Sequence, residues 1–349
     1  MTIANSSISS FRKTLLRALA CGIVFLLVGE SVVRFDRATL FFEGSRAELL
    51  RNDYKASPER SLLDQGQFPV RNEDVRIMLL GDSVLYGVGV RPQAVVSTLL
   101  KEKLVANRPT PGTVYVLDIT CPGNNTYQNW VAFERYFKAF APQVVILAYH
   151  HDDVFGQQTP PGSPGAPSAA PSLPVREVER NVDRFMSFRN ALFTSKVLKL
   201  VFEKLNLELK LAGIVIPGTE FDHFVNHSYD PDFPGWRDSQ GYLVSMAAEC
   251  RTNRSTLIAY LSPELELLRH YQVLGPVDHL LARFFAEAKV TCLNGVDPFL
   301  ARPKMDYALS RYDGHPNEAA HQLIADQLFH ALERALSKPG GAKSGTTSP

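Results

Sequence analysis

Short apolar runs recur along this chain, and each stops at a glycine or a polar cluster. VRIMLL (75–80) ends at Gly81, and TVYVLDIT (113–120), APQVVILAYH (141–150), STLIAYLSP (255–263) and KVTCLNGV (289–296) follow the same plan. Runs this short and this continuously apolar predict strands buried on both faces. Between them the period changes. In YQNWVAFERYFKAF, Trp130, Phe133, Phe137 and Phe140 recur at helical spacing. GPVDHLLARFFAEA (275–288) reads as a helix with Pro276 near its start. In PNEAAHQLIADQLFHALERALSK, the residues Ala320, Leu323, Ile324, Leu328, Leu332 and Leu336 make one apolar face, with Pro316 suited to the first turn. Strand, helix and strand at these intervals predict βαβ units, hence an α/β fold with a five-stranded parallel sheet.

The remaining stretches set the expected domain plan. Arg12, Lys13 and Arg17 precede an apolar run at 18–33, with Glu30 close to its far end. That order predicts a single-pass inner-membrane helix with a cytoplasmic N-terminus. No small-x-small cleavage site follows the run, and Cys21 lies too early for a lipoprotein, so an uncleaved signal anchor fits best. The plan is thus a stub and anchor at 1–35, a connector at 36–74 and a domain at 75–338. GQQTPPGSPGAPSAAPSLP (156–174) and the helical pattern after it mark 156–250 as an insertion, and 339–349 reads as a disordered tail.

Composition removes several function classes. Lys plus Arg (37) and Asp plus Glu (36) nearly cancel, and no long basic run occurs, so nucleic acid is not an expected partner. The four cysteines, Cys21, Cys121, Cys250 and Cys292, form no CxxC pair. If the bulk is exported, three of them face an oxidising space, and buried free thiols are the simplest reading for most.

Candidate chemistry gathers where parallel sheets bind ligands, beyond the carboxyl ends of the strands. Asp82-Ser83 follows the first strand, CPGNNT (121–126) the second and HHDDV (150–154) the third, and YDGHPN (312–317) precedes the last helix. A serine at a strand-to-turn junction exposes its hydroxyl, but needs a base to become a nucleophile. His315 is the candidate base, and Asp313 can orient and stabilise its ring. The N–H groups of Ser83 and Gly123 are candidate donors to an oxyanion. HHDD offers metal-ligating side chains, but neighbours in an extended segment point to opposite sides, so no metal or other cofactor is expected. His223 and His227 lack an acidic residue between them of the kind a zinc-protease helix carries. Phe221, Phe224, Tyr229, Phe233 and Trp236 could line a sugar-stacking wall or pack as a local core.

GDSVLYGVGV, PGNNTYQ, HHDDV and DGHPNEAAH resemble, in order and spacing, the four motif blocks of the SGNH (GDSL-type) hydrolase superfamily, and the membrane-anchored bacterial members in particular. The resemblance spans roughly 75–336 outside the insertion. It implies a flavodoxin-like three-layer sandwich, with Ser83 as nucleophile, His315 as base, Asp313 as its partner and Gly123 at the oxyanion. One block departs from the pattern: Asp152 stands where the family has an asparagine whose amide serves the oxyanion. Asn124, Asn125, His150 and His151 are the residues that could replace it, or the site is weak. The implied activity is serine esterase chemistry on a small acyl ester, such as an acetylated glycan of the periplasm or cell exterior. An O-acetyltransferase for exported polysaccharide and a catalytically weak glycan-binding protein are the alternatives.

Overall fold

The computed structural model describes residues 58–107, 111–155, 205, 208–216, 220–302, 307–310 and 313–337. Backbone contacts divide the chain into two units, and all that follows concerns the larger, Asp53–Glu179 with Lys210–Pro349. The expected anchor, the 156–174 stretch and the tail lie outside the described residues. Among the described residues no helix is long and apolar enough to cross a membrane.

The five apolar runs form one parallel sheet: β1 (Val75–Leu80), β2 (Val114–Asp118), β3 (Val144–Tyr149), β4 (Thr256–Leu261) and β5 (Thr291–Asn294), in the order β2-β1-β3-β4-β5. This is the doubly wound order of flavodoxin-like folds. All six residues of β1 and of β3 are buried, because alternate side chains serve two different cores. Met78, Leu80, Val145, Leu147 and Tyr149 enter one. Ile77, Leu79, Val144, Ile146 and Ala148 enter the other. Each fully buried aliphatic side chain contributes about 1.5–3 kcal/mol, which explains why these strands read as apolar runs, broken in β1 only by Arg76, whose guanidinium donates to the carbonyls of Ala141 and Arg71.

Helices cover both faces, making three layers. The first core is closed by α1 (Pro58–Asp64), α3 (Thr126–Phe140), α4 (Pro234–Thr252) and α5 (Gly275–Glu287). The second is closed by α2 (Val96–Asn107) and α6 (Glu318–Leu336). Helix α1 falls in the stretch expected to be a connector. It packs on β2 and α3, with Asp64 accepting from Tyr136 Oη at 2.9 Å and from Arg135 at 2.8 Å. Helix α4 falls in the expected insertion, yet it is the β3-to-β4 crossover, burying Trp236, Leu243, Met246, Ala247 and Cys250. A parallel pair requires such a crossover.

Pro316 is not in the first turn of the last helix. It ends a strand, β7 (Asp313–Pro316), which pairs with β6 (Ala308–Ser310). The helix starts two residues later because Asn317 caps it, accepting from the N–H of Ala320 at 3.1 Å. The aromatics at 221–236 resolve as local core. Phe221, Tyr229 and Trp236 are buried, and Trp236 meets the rings of Tyr229 and Phe284 edge-on, each at 5.1 Å. Cys121, Cys250 and Cys292 are free thiols. Burial pushes the thiols of Cys250 and Cys292 up to about 12.

Candidate active site

Ser83 follows β1 by way of Gly81 and Asp82. A Cβ at Gly81 would meet the Ala148 Cβ on β3 at 2.9 Å, so glycine is required for β1 to leave the sheet here. The buried Asp82 carboxylate accepts from the N–H of Val84 at 3.0 Å and starts a single helical turn, Ser83–Tyr86. Ser83 is thereby held at the first position of the turn, partly exposed, and its hydroxyl makes no hydrogen bond among the described residues.

The loop after β2 is fastened beside this turn. The N–H of Cys121 donates to the carbonyl of Gly81 at 3.1 Å, and Asn124 Nδ2 reaches the same oxygen at 3.5 Å. Gly123 sits between them at φ +79°, a conformation that glycine adopts without strain. Its N–H makes no hydrogen bond among the described residues. Asn125 has a different task from the substrate contact expected of it. Its Oδ1 accepts from the N–H of Gln128 at 3.1 Å and its Nδ2 donates to the carbonyl of Phe155 at 3.0 Å, so its amide caps α3.

His315 lies on β7, which packs against the turn opened by Ser83. Its Nδ1 is 2.6 Å from Asp313 Oδ1, and the same oxygen accepts the backbone N–H of His315 at 3.1 Å. One carboxylate thus fixes both the ring and the main chain, and directs Nε2 away from Asp313 as the free ring nitrogen. Among the described residues, no hydrogen bond joins that nitrogen to Ser83. The imidazole is near enough to act electrostatically on Asp82, whose carboxyl is raised by burial and drawn back by His150 and His315. Gly314 leaves room for a neighbour: a Cβ there would meet Glu266 Oε2 at 2.7 Å.

The loop after β3 is a turn rather than an extended strand, with the N–H of Asp153 donating to the carbonyl of His150 at 3.0 Å. Asp152 does not project freely into the site. Its carboxylate is 2.6 Å from His150 Nδ1. Burial pushes that carboxyl up, but the hydrogen bond and the charge of His150 together outweigh it and leave it below its ordinary value. The other ring nitrogen of His150 is 3.3 Å from Glu264 Oε1. Burial opposes charge on the imidazole, yet Glu264 and Asp152 together hold it well above the usual histidine range. Both nitrogens are therefore committed, and neither is available to an oxyanion. His151 is buried, with Nε2 2.7 Å from Asp278 Oδ1, so it too is directed elsewhere. Asn124 Nδ2 is engaged more loosely, donating to Asn129 Oδ1 at 3.3 Å and to the Gly81 carbonyl at 3.5 Å.

Glu264 and Asp278 escape a reading of local motifs. Glu264 stands just beyond β4, so the one available signal is a polar residue at the carboxyl end of a strand.

No protein-family profile and no curated protein matches this chain. Among solved structures, the neighbours include lipolytic hydrolases of the GDSL type. TesA is 11% identical, with a TM-score of 0.44 over 74% of this chain and 99% of its own. The psychrotrophic esterase EstA from Pseudoalteromonas sp. is 10% identical, with a TM-score of 0.41 over 75% of this chain and 98% of its own. A member of the lipolytic G-D-S-L family from Veillonella parvula is 12% identical, with a TM-score of 0.41 over 74% of this chain and 99% of its own. At such scores and identities the likeness does not assign an activity.

Proposed function

We propose that this protein cleaves a carboxylic ester with Ser83 as nucleophile. The observation that carries the reading is the His315–Asp313 contact of 2.6 Å on a strand packed against the turn that presents the unengaged Ser83 hydroxyl. A hydroxyl at the carboxyl edge of a parallel sheet, beside an imidazole whose far nitrogen is held by a carboxylate, has the parts of a nucleophile–base–orienter set.

In this scheme Ser83 Oγ attacks the ester carbonyl carbon while His315 Nε2 takes the hydroxyl proton. The carbonyl oxygen becomes an oxyanion, met by the N–H groups of Ser83 and Gly123. The tetrahedral adduct expels the alcohol, which recovers the proton from His315 and leaves an acyl group on Ser83. Water, deprotonated by the same imidazole, releases the acid and restores the serine. Each well-placed oxyanion donor is worth about 3–4 kcal/mol. Asn124 Nδ2 is the amide we assign to supplement the two N–H groups in place of Asp152, by exchanging its long 3.5 Å bond to the Gly81 carbonyl for the oxyanion while keeping Asn129 Oδ1 at 3.3 Å.

The substrate class we propose is a small O-acyl ester, acetyl first, on a glycan outside the cytoplasm, with the chain anchored by residues 18–33. The sequence supports this through the basic residues ahead of that apolar run. A fluorophosphonate probe tests the core of the proposal. The full chain should be labelled covalently, and Ser83→Ala should not be. An unlabelled wild-type protein, or labelling that survives Ser83→Ala, overturns it. Release of acetate from acetylated glycans, with and without an added acceptor sugar, then separates hydrolysis from transfer.

A further inference from the structure

We propose a second site in this domain: a divalent transition-metal centre of the zinc type, held by His150, His151 and Glu264. It does not depend on the ester-cleaving reading, and uses neither Ser83 nor His315.

One ring nitrogen of each histidine and a Glu264 carboxylate oxygen lie within 4.8 Å of one another. Two tetrahedral zinc ligands, each about 2.0–2.1 Å from the ion, stand about 3.3 Å apart. His150 Nε2 and Glu264 Oε1 are separated by 3.3 Å. His151 supplies an independent pointer. It is 4% exposed, and its Nδ1 is buried with no hydrogen-bond partner. An unsatisfied buried ring nitrogen is costly to keep, and a metal ion would satisfy it.

Each histidine is also oriented as a ligand requires. His150 gives Nδ1 to Asp152 at 2.6 Å, and its Nε2 faces Glu264, so an ion between them would take the place of the proton they share. His151 gives Nε2 to Asp278 at 2.7 Å, which leaves Nδ1. The Asp278 carboxylate is fixed in turn, accepting from Tyr271 Oη at 2.6 Å, and Tyr271 Oη accepts from Asn294 Nδ2 at 2.9 Å. Outer carboxylates that fix the tautomer and angle of a ligating histidine are a recurrent feature of zinc sites. Two histidines and one glutamate leave a fourth position open.

The charge balance favours a cation. Asp82, Asp152, Glu264 and Asp278 all approach the two rings. Lys210 reaches Glu264 Oε2 only at 4.0 Å and is engaged more closely by Glu266. Adjacent histidines share an ion here because the segment turns after β3, and because the third ligand comes from beyond β4. Two residues of HHDD thus supply ligands, with a distant glutamate as the third.

The test uses the tag-free full chain, stripped with dipicolinate and titrated with ZnCl₂ by calorimetry, with metal content measured after dialysis. One zinc per chain is expected, and cobalt(II) should give the visible absorption of a low-coordinate site. Glu264→Gln, nearly isosteric, should weaken zinc binding at least 10-fold. Asp278→Asn, which acts through His151, should weaken it about 10- to 100-fold. Ser83→Ala should bind zinc as wild type does, so loss of the esterase reading would leave this result intact. Each variant is first shown to melt cooperatively. No stoichiometric zinc in the wild type, or unaltered affinity in folded Glu264→Gln, overturns the proposal.

Discussion

The domain contains two histidine–aspartate pairs of the same local design. His315 with Asp313 and His150 with Asp152 are both two residues apart, and both are joined Nδ1 to Oδ1 at 2.6 Å. What separates them is the other nitrogen. His315 presents Nε2 beside the Ser83 turn, on a side chain that is 30% exposed. His150 is 13% exposed, and its Nε2 meets a second carboxylate, Glu264. One carboxylate orients an imidazole and leaves it able to accept a proton. Two carboxylates, one on each nitrogen, hold the proton in place. In the scheme proposed above, the surroundings make one pair a base and the other a fixed cation or a ligand, and the motif alone does not distinguish them.

Mutations can break this comparison. Ser83→Ala and His315→Ala should each lower kcat/KM for p-nitrophenyl acetate by roughly 10⁶-fold, the scale for residues acting as one unit. Asp313→Asn should cost about 10⁴-fold by favouring the wrong tautomer. His150→Gln should cost far less. If it cost more than His315→Ala, the roles assigned to the two pairs would be reversed. Asn124→Ala should lower kcat about 10²- to 10³-fold with little change in KM, as loss of an oxyanion donor does.

A pH series sharpens the same contrast. The imidazole of His150 titrates higher in the folded chain than in the unfolded one, because Glu264 and Asp152 outweigh its burial. Its contribution to stability is therefore complete below about pH 6.5, the unfolded value, and is lost as pH rises through the raised folded value. Glu264 and Asp152 are held low, so their contribution is present above the usual carboxylate range and lost on acidification. The Tm of metal-free protein should fall on both sides of this window, and His150→Gln should flatten the alkaline side. The smallest effect concerns the base's own support. Asn317→Ala should cost about 1 kcal/mol of stability through the lost cap, read from urea unfolding.

The frame of this domain was legible from the chain because each strand is an apolar run closed by glycine or a polar cluster. The five runs occur where expected, as do the helices Thr126–Phe140, Gly275–Glu287 and Glu318–Leu336, while the helical pattern over 186–211 lies largely outside the described residues. Helix α2 went unnamed, although Val96, Leu100 and Leu104 repeat every four residues and are buried. The crossover helix α4 was masked by its position after a proline-rich stretch. The site was legible only as far as local motifs reach. Ser83, Gly123, Asp313 and His315 each sit in one. The capping role of Asn125 depends on a partner carbonyl at Phe155, and the capture of His150 depends on Glu264, more than a hundred residues later. Such pairings follow from the order of strands in the sheet, which no window of sequence contains.

Two of the free thiols carry a practical consequence. With Cys250 and Cys292 pushed up to about 12, only about one molecule in 10⁵ at neutral pH holds either as the nucleophilic thiolate. Alkylating dyes should pass them by. Cys121, whose backbone N–H donates to the Gly81 carbonyl, then becomes a native attachment point two residues from Gly123. A maleimide fluorophore placed there offers a probe of the proposed acylation of Ser83, with no engineered cysteine in the described domain.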